Sequence, residues 1–468
     1  MIDYNYSSKL TMLQNIIIFW KRRNISPLGK ITVVKSMLLP LFTHLFIALP
    51  SPGVHILNQI HNCFYNFIWD DPLKIKHNIL IKPYEEGGLN MIDIYSFEKS
   101  MKLTWIKKLA LCTGKCFVLV YSLFDVKKML NMGNAYVQKI VKRLTNTFWK
   151  DVLNYYSIYV NTFKICTFDD VLNMPLFYND NFKIGMNCIY DKNMYERGIR
   201  LVRDILCTSG GFKTKNDIEN YTGKVLNFLF YEGVKRTVSD FIKKSSFATV
   251  NKSNTTGVFF SSYLNVIVFK AKPNKSIYST YTFNKEKPTC QNKWNEIFNN
   301  IDWKFVHNFV FENSRDTYIQ WLQTRIVHRI LGTKSLLYKM KIVNDNLCSF
   351  CKKHEETLTH LFWECEHIQP IINYIKYSMN LNNINFPNIS CQDVLLGICS
   401  EKMTPINILF LEMKRYVFIC KKHSKIPTVP GLKNSFQLAW EIQKHTICQG
   451  SEFPNWSVVR LLINEPIT

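Results

Sequence analysis

Four metal-ligating side chains lie within eighteen residues of this chain: Cys348, Cys351, His360 and Cys365, spaced C-x2-C-x8-H-x4-C. No other feature constrains the fold so tightly. Zinc takes four nitrogen or sulfur ligands in a tetrahedron. A C-x-x-C turn places two thiolates on one side of an ion, and a helical turn carrying His360 and Cys365 is expected to face it from the other. Three thiolates and a neutral imidazole close the shell and leave no position for a catalytic water, so the expectation is structural Zn2+. The surrounding subdomain should then fold only with metal. His354 and His367 flank the motif and are the rival ligands. Buried cysteines beside an unrelated histidine are the alternative, which four ligands in so short a span disfavour.

The chain has 468 residues, enough for roughly three domains and for cores that need no disulfide staples. Its 14 cysteines, without a secretory leader, read as reduced thiols of an intracellular protein. The most apolar stretch, residues 37–52, is interrupted by Pro40, Thr43 and His44 and falls short of the ~20 residues a spanning helix needs. No membrane partner is expected. The apolar share of 47% against 20% charged excludes wholesale disorder.

The net charge of +24 and pI near 9.4 point to a polyanion, RNA or DNA before an anionic membrane. Soft boundaries give a region 1–110, a basic region 111–290 and a C-terminal region 291–468, carrying +6, +13 and +5. The excess is spread along the chain and reads as folded basic surface. Three stretches lack acids altogether. One holds Lys9, Lys21, Arg22, Arg23, Lys30 and Lys35. A second holds Arg325, Arg329, Lys334, Lys339 and Lys341. The third holds Lys414, Arg415, Lys421, Lys422, Lys425 and Lys433. Phosphate-facing surfaces are the expectation, and solvated helix faces are the alternative. Phe350, Phe362 and Trp363 are either rings for unpaired bases or knuckle core.

Helical periodicity dominates, so the expected fold is mainly α: helical bundles, few short strands and a small Cys3His knuckle. Ile31, Val34, Leu38 and Leu41 recur at helical spacing, with a kink expected at Pro40. Leu57, Ile60, Phe64, Phe67 and Ile68 make a second stripe. Ile319, Leu322, Ile326, Ile330 and Leu331 make a third, with Arg325 and Arg329 off it. Thr404-Pro405 opens a helix to about Cys420, and Thr214 with Asp217 has capping-box spacing. Residues 258–269 alternate loosely like a strand, within a looser connection over 245–288. Gly87-Gly88 and Gly210-Gly211 read as turns.

Several segments together resemble the C-terminal part of the reverse transcriptase of LINE-type non-LTR retrotransposons. Trp20 to Ile31, W-K-R-R-N-I-S-P-L-G-K-I, with Val34-Lys35 and Leu39-Pro40 after it, is similar to that family's thumb segment. Phe67-Ile68-Trp69, Gly87-Gly88-Leu89 and Trp105 resemble the motifs that follow the thumb. Gly198-Ile199, Asp204-Ile205-Leu206 and Gly211-Phe212 resemble a linker segment, and the knuckle resembles the family's zinc-binding domain. The resemblance implies a region that holds template–primer, element RNA and target DNA. It implies backbone contacts from Lys21, Arg22, Arg23, Lys30 and Lys35, and nucleic-acid contacts from Arg325, Arg329 and Lys334. It also implies work in the nucleus on genomic DNA, otherwise in the cytoplasm, beside a palm-containing part of the same element.

Polymerase chemistry needs carboxylates holding two metal ions. The sole look-alike is Phe67-Ile68-Trp69-Asp70-Asp71, with Pro72 following at once and no acid at residues 4–69 to supply a third carboxylate. No catalytic residue is therefore expected. The chain reads as a non-catalytic, nucleic-acid-binding fragment with the palm missing. The remaining alternatives are a zinc-stabilised protein-interaction scaffold and a degenerate relic.

Overall fold

The computed structural model describes residues 2–69, 74–112, 117–207, 210–244, 261–381, 389–400 and 403–446. Helices carry nearly all of the regular structure. Among the described residues the strands are Lys183–Ile184 and Asn187–Cys188, paired antiparallel with Lys183 opposite Cys188. Gly185, at φ 62°, opens their two-residue turn, where a left-handed backbone suits a tight hairpin. The mainly α expectation holds. Among the described residues no single helix is long and apolar enough to cross a membrane.

The chain divides into two compact units, each assembled from separated segments. The first comprises residues 1–16, 37–62 and 93–283, and the second residues 17–36, 63–92 and 284–468. A division by charge along the sequence cannot show such interleaving, because it assumes that neighbours in sequence share a core.

In the first unit, helices Asn134–Arg143 and Thr147–Thr162 form a hairpin, and Pro273–Thr282 packs on the latter and on Ile94–Lys102. Val152, Leu153, Tyr156 and Tyr159 are almost fully buried, the three-and-four spacing of one helical face. The described part of the expected strand is a helix instead, Ser262–Phe269. Its buried residues are Tyr263, Leu264, Ile267 and Val268, pairs four apart that a helix puts on one side. Thr214 and Asp217 form the capping box, with Asp217 N–H reaching Thr214 Oγ1 at 3.1 Å. Asp204 accepts the N–H groups of Arg200 and Leu201, each at 2.7 Å, so in the linker-like segment it ties a turn.

In the second unit, Ser26 caps the helix Pro27–Val33, its hydroxyl accepting Gly29 N–H at 3.3 Å. A wide π-helical turn follows at Val34–Leu38, where the chain passes from this unit to the first, and in the first unit a new helix opens at Pro40. The expected kink is thus a real break, since proline cannot donate to the preceding turn. Gly88 sits where a Cβ would stand 1.9 Å from the Lys82 carbonyl oxygen, and only glycine lets those backbones approach. The helix Thr317–Val327 buries Ile319, Leu322 and Ile326 but ends at Val327. Arg329 lies beyond it at φ 57°, so Arg325 and Arg329 do not share one helical face. Thr404–Lys422 runs close to the expected span, with Pro405 in its first turn.

Candidate metal centre

The knuckle starts at a turn after the short helix Lys334–Lys339. Leu347 and Glu355 bridge in antiparallel fashion, and Cys348 N–H donates to the His354 carbonyl at 2.7 Å. That closed loop carries Cys348 and Cys351. The other two ligands come from the π-helical turn His360–Glu364, closed by Cys365 N–H to the His360 carbonyl at 3.0 Å. The turn type matters. Residues five apart on an α-helix diverge by about 140° at 3.6 residues per turn. An i→i+5 turn returns Cys365 to the side of His360.

All four ligand atoms lie within 4.8 Å of one another, and all four residues are buried. Cys348 Sγ to Cys365 Sγ is 3.9 Å, and Cys351 Sγ to His360 Nε2 is 3.3 Å. Ordinary zinc bonds at tetrahedral angles give edges of about 3.8 Å for S–S and about 3.6 Å for S–N. The donor set and its spacing therefore fit one zinc ion. His360 presents Nε2, while Glu364 stands 3.9 Å from Nδ1, the place of a carboxylate that orients a ligating imidazole. The rival histidines stay out: His354 is exposed with its ring centroid 5.6 Å from that of His360, and His367 lies 3.8 Å from Glu366.

Burial pushes the Cys348 thiol up and the Cys365 thiol up to about 12. For Cys351, burial acts upward too, but the N–H groups of Lys353 and His354 outweigh it and the thiol falls below its ordinary value. Loading a metal must therefore displace protons from buried sulfur.

The carboxylate of Glu356, which no motif singles out, holds this knuckle together. Glu356 is 0% exposed. Its Oε2 accepts Ser349 N–H, inside the C-x-x-C turn, at 2.8 Å. Its Oε1 accepts Lys334 N–H at 2.8 Å and lies 2.6 Å from Lys421 Nζ. Lys421 also donates to the Gly332 carbonyl at 2.7 Å. Burial alone would raise the Glu356 carboxyl, but the Lys421 ammonium and the N–H donors hold it below its ordinary value. No local spacing signals it, because its cation, Lys421, comes from a helix distant in sequence.

The expected nucleic-acid contacts fare unevenly. Lys21, Arg22 and Arg23 are exposed, and the Arg23 guanidinium lies 4.9 Å from the ring centroids of both Phe19 and Trp20. Lys30 is 4% exposed, with its ammonium 5.8 Å from the Phe67 ring. It therefore does not offer that ammonium to a phosphate, because its helix packs this side against Thr317–Val327. Lys35 is half-buried, and burial lowers its ammonium. Arg325 is partly buried, 5.1 Å from the Phe418 ring and 5.8 Å from Trp321. Arg329 lies 4.6 Å from the Trp294 ring, and burial lowers its guanidinium. Lys334 pairs with Asp345 at 3.0 Å.

The third acid-free stretch is corrected more sharply. Lys414 is 1% exposed and its ammonium is pushed down to about 7 by burial. Arg415 pairs with Glu412 at 2.7 Å, and Lys421 with Glu356. Arg415 is met by the acid that bounds the gap, one helical turn away, and Lys421 by an acid brought from elsewhere in the fold. Phe350 and Phe362 are buried and belong to the core, while Trp363 is partly exposed with Lys376 Nζ 5.2 Å from its ring. Asp70 and Asp71 lie outside the described residues.

Fold and site together define a mainly helical protein that carries, in its second unit, a closed Cys3His knuckle able to hold one zinc ion. Residues 288–371 match the family described as zinc-binding in reverse transcriptase, a stretch that includes all four ligands and Glu356. No curated protein matches the chain.

Proposed function

We propose that this chain is a non-catalytic, nucleic-acid-binding part of a LINE-type non-LTR retrotransposon reverse transcriptase, with polymerase chemistry supplied by a palm outside this sequence. The observation that carries the reading is the preformed Cys3His shell inside a stretch similar to reverse-transcriptase zinc-binding domains. The +24 charge supports a polyanionic partner. The exposed Lys21-Arg22-Arg23 segment beside Phe19 and Trp20 combines cations with rings, as single-strand contacts require. Its partners are template–primer, element RNA or target DNA, together with the palm-bearing part of the element. Its place is intracellular, and nuclear when the target is genomic DNA.

Binding of the purified chain to structured RNA across a salt series tests this. Affinity should fall steeply as salt rises, and Lys21→Ala with Arg22→Ala should reduce the slope. Affinity that stays flat from low to moderate salt would sink the proposal. Primer extension by the chain alone should give no product, and extension abolished by Asp70→Ala with Asp71→Ala would establish an enzyme instead.

A second reading, a zinc-stabilised protein-binding surface, has one observation in its favour. Tyr338, Ile342 and Leu347, beside the knuckle, are 49%, 54% and 41% exposed. Salt-insensitive binding of the palm-bearing part, without RNA, would favour it.

A further inference from the structure

Three hydroxyl residues of this chain stand directly before a proline: Ser26-Pro27, Ser51-Pro52 and Thr404-Pro405. The fold treats them differently. Pro52 is buried, and the Ser51 hydroxyl donates at 2.7 Å to the carboxylate of Glu98, itself 0% exposed. Thr404 and Pro405 form the first turn of the helix Thr404–Lys422, with Pro405 buried. Ser26 and Pro27 are each partly exposed, and residues 24–26 lie between the helices Ile2–Lys21 and Pro27–Val33. Ser26 itself is extended, at φ −63° and ψ 158°. An enzyme that modifies a hydroxyl and reads the proline after it must reach both on extended backbone. Of the three, Ser26 alone meets that demand.

The neighbourhood of Ser26 is cationic. Lys21, Arg22 and Arg23 are exposed, and the sequence from residue 4 to residue 69 holds no acid. Three residues separate Arg23 from Ser26, a span of at most about 11 Å. Ile25 N–H donates to the Arg23 carbonyl at 2.9 Å, which turns the chain back and shortens that span. A charge placed on Ser26 therefore lies near the screening length of physiological salt, about 8 Å, from the segment assigned above to nucleic acid.

We propose that Ser26 is a phosphorylation site for a proline-directed protein kinase, and that the phosphate switches off the nucleic-acid contact of Lys21, Arg22 and Arg23. The switch rests on the nucleic-acid-binding role proposed above and adds a control to it. Ser26 Oγ attacks the γ-phosphorus of ATP. The Oγ–P bond forms as the bond to the ADP oxygen breaks, ADP leaves, and the hydroxyl proton passes to the general base of the kinase. The product carries a charge of about −1.5 to −2, enough to offset about two of the three cations, and it repels an incoming phosphate backbone. The helix start survives the change. Ser26 Oγ accepts Gly29 N–H at 3.3 Å, and a phosphate oxygen can accept the same N–H.

The test treats the folded full chain with ATP and an active cyclin-dependent or mitogen-activated kinase, maps the phosphate by mass spectrometry, and measures affinity for structured RNA across a salt series. Phosphate should appear on Ser26 and not on Ser51 or Thr404. The phosphorylated chain should bind RNA about ten-fold more weakly or worse, its log–log salt slope should shrink by about 2, and a phosphatase should restore both. Asp and Asn cap a helix about as well as Ser, so Ser26→Asp against Ser26→Asn isolates charge from folding. The Asp chain should lose about 1 from the slope, whereas the Asn chain should bind like the parent and take no phosphate at this position. A folded chain that neither kinase modifies at Ser26, or a phosphorylated chain with the affinity and slope of the parent, overturns the switch and leaves the broader role standing. An unmodified chain that does not bind structured RNA overturns both.

Discussion

Replacing Lys421 by Met removes the counter-charge of Glu356 while keeping most of the aliphatic stem. The carboxylate, 0% exposed, then stands without its ammonium. Breaking one partner of a buried pair costs about 3–5 kcal/mol. The lower end applies, because the Ser349 and Lys334 N–H donors remain at 2.8 Å and the Lys421 side chain is 12% exposed, so about 3 kcal/mol is expected. Glu356 fixes Ser349 N–H between two of the zinc thiolates, so part of the loss falls on metal binding. A drop of about 10–100-fold in zinc affinity is expected, the range of outer-shell changes. Urea unfolding gives the first quantity and zinc competition against a chelator gives the second. Adding Glu356→Gln should recover part of the stability, since a neutral amide oxygen can still accept an N–H and no buried charge remains. The pH dependence has a definite sign. The folded carboxyl lies below its unfolded value, so the contribution is present above about pH 4.5 and is lost as pH falls through the folded value. A Lys421→Met protein within about 0.5 kcal/mol of the parent, with unchanged zinc affinity, would place the pair among ordinary surface salt bridges and refute this account.

Three further outcomes are expected. Cys348→Ser with Cys351→Ser should abolish stoichiometric zinc by metal analysis and lower the melting temperature, and a chelator should do the same to the parent; a parent melt that chelation leaves unmoved would rule out a stabilising metal. His307, pushed down to about 3 by burial and by its neighbour His328, is neutral when folded, so the unfolded chain takes up the extra proton. Stability is then present above pH 6.5 and lost on acidification, by about 2 kcal/mol at pH 5, and His307→Gln should flatten that slope in urea titrations between pH 7 and 5. Gly88→Ala should destabilise the second unit by about 2–3 kcal/mol or more, because the added Cβ meets the Lys82 carbonyl oxygen, which is backbone and cannot swing aside; an alanine variant that unfolds with the parent would contradict that approach.

Short-range rules settle most of what the sequence determined alone. The helices follow from three-and-four spacing, the box at Thr214 and Asp217 from its own offset, and the break at Pro40 from a missing N–H. The metal centre was legible for the same reason, since Cys348, Cys351, His360 and Cys365 lie within one short loop and turn. Residues 262–269 form a helix where a strand is expected, because their apolar run is too short to separate the two periods and burial on one helical side decides it.

Tertiary structure decided the rest. It interleaved the two units, turned Lys30 and Lys414 inward, ended a helix before Arg329 and brought Glu356 to Lys421. Charge is additive along a sequence, but its effect depends on the distance to the nearest opposite charge and to water, and both are set by the fold. The ligands of a knuckle lie close in sequence because a metal closes small loops. The partners of a buried ion pair come from any segment that packing brings within a few ångströms, so no local pattern announces them.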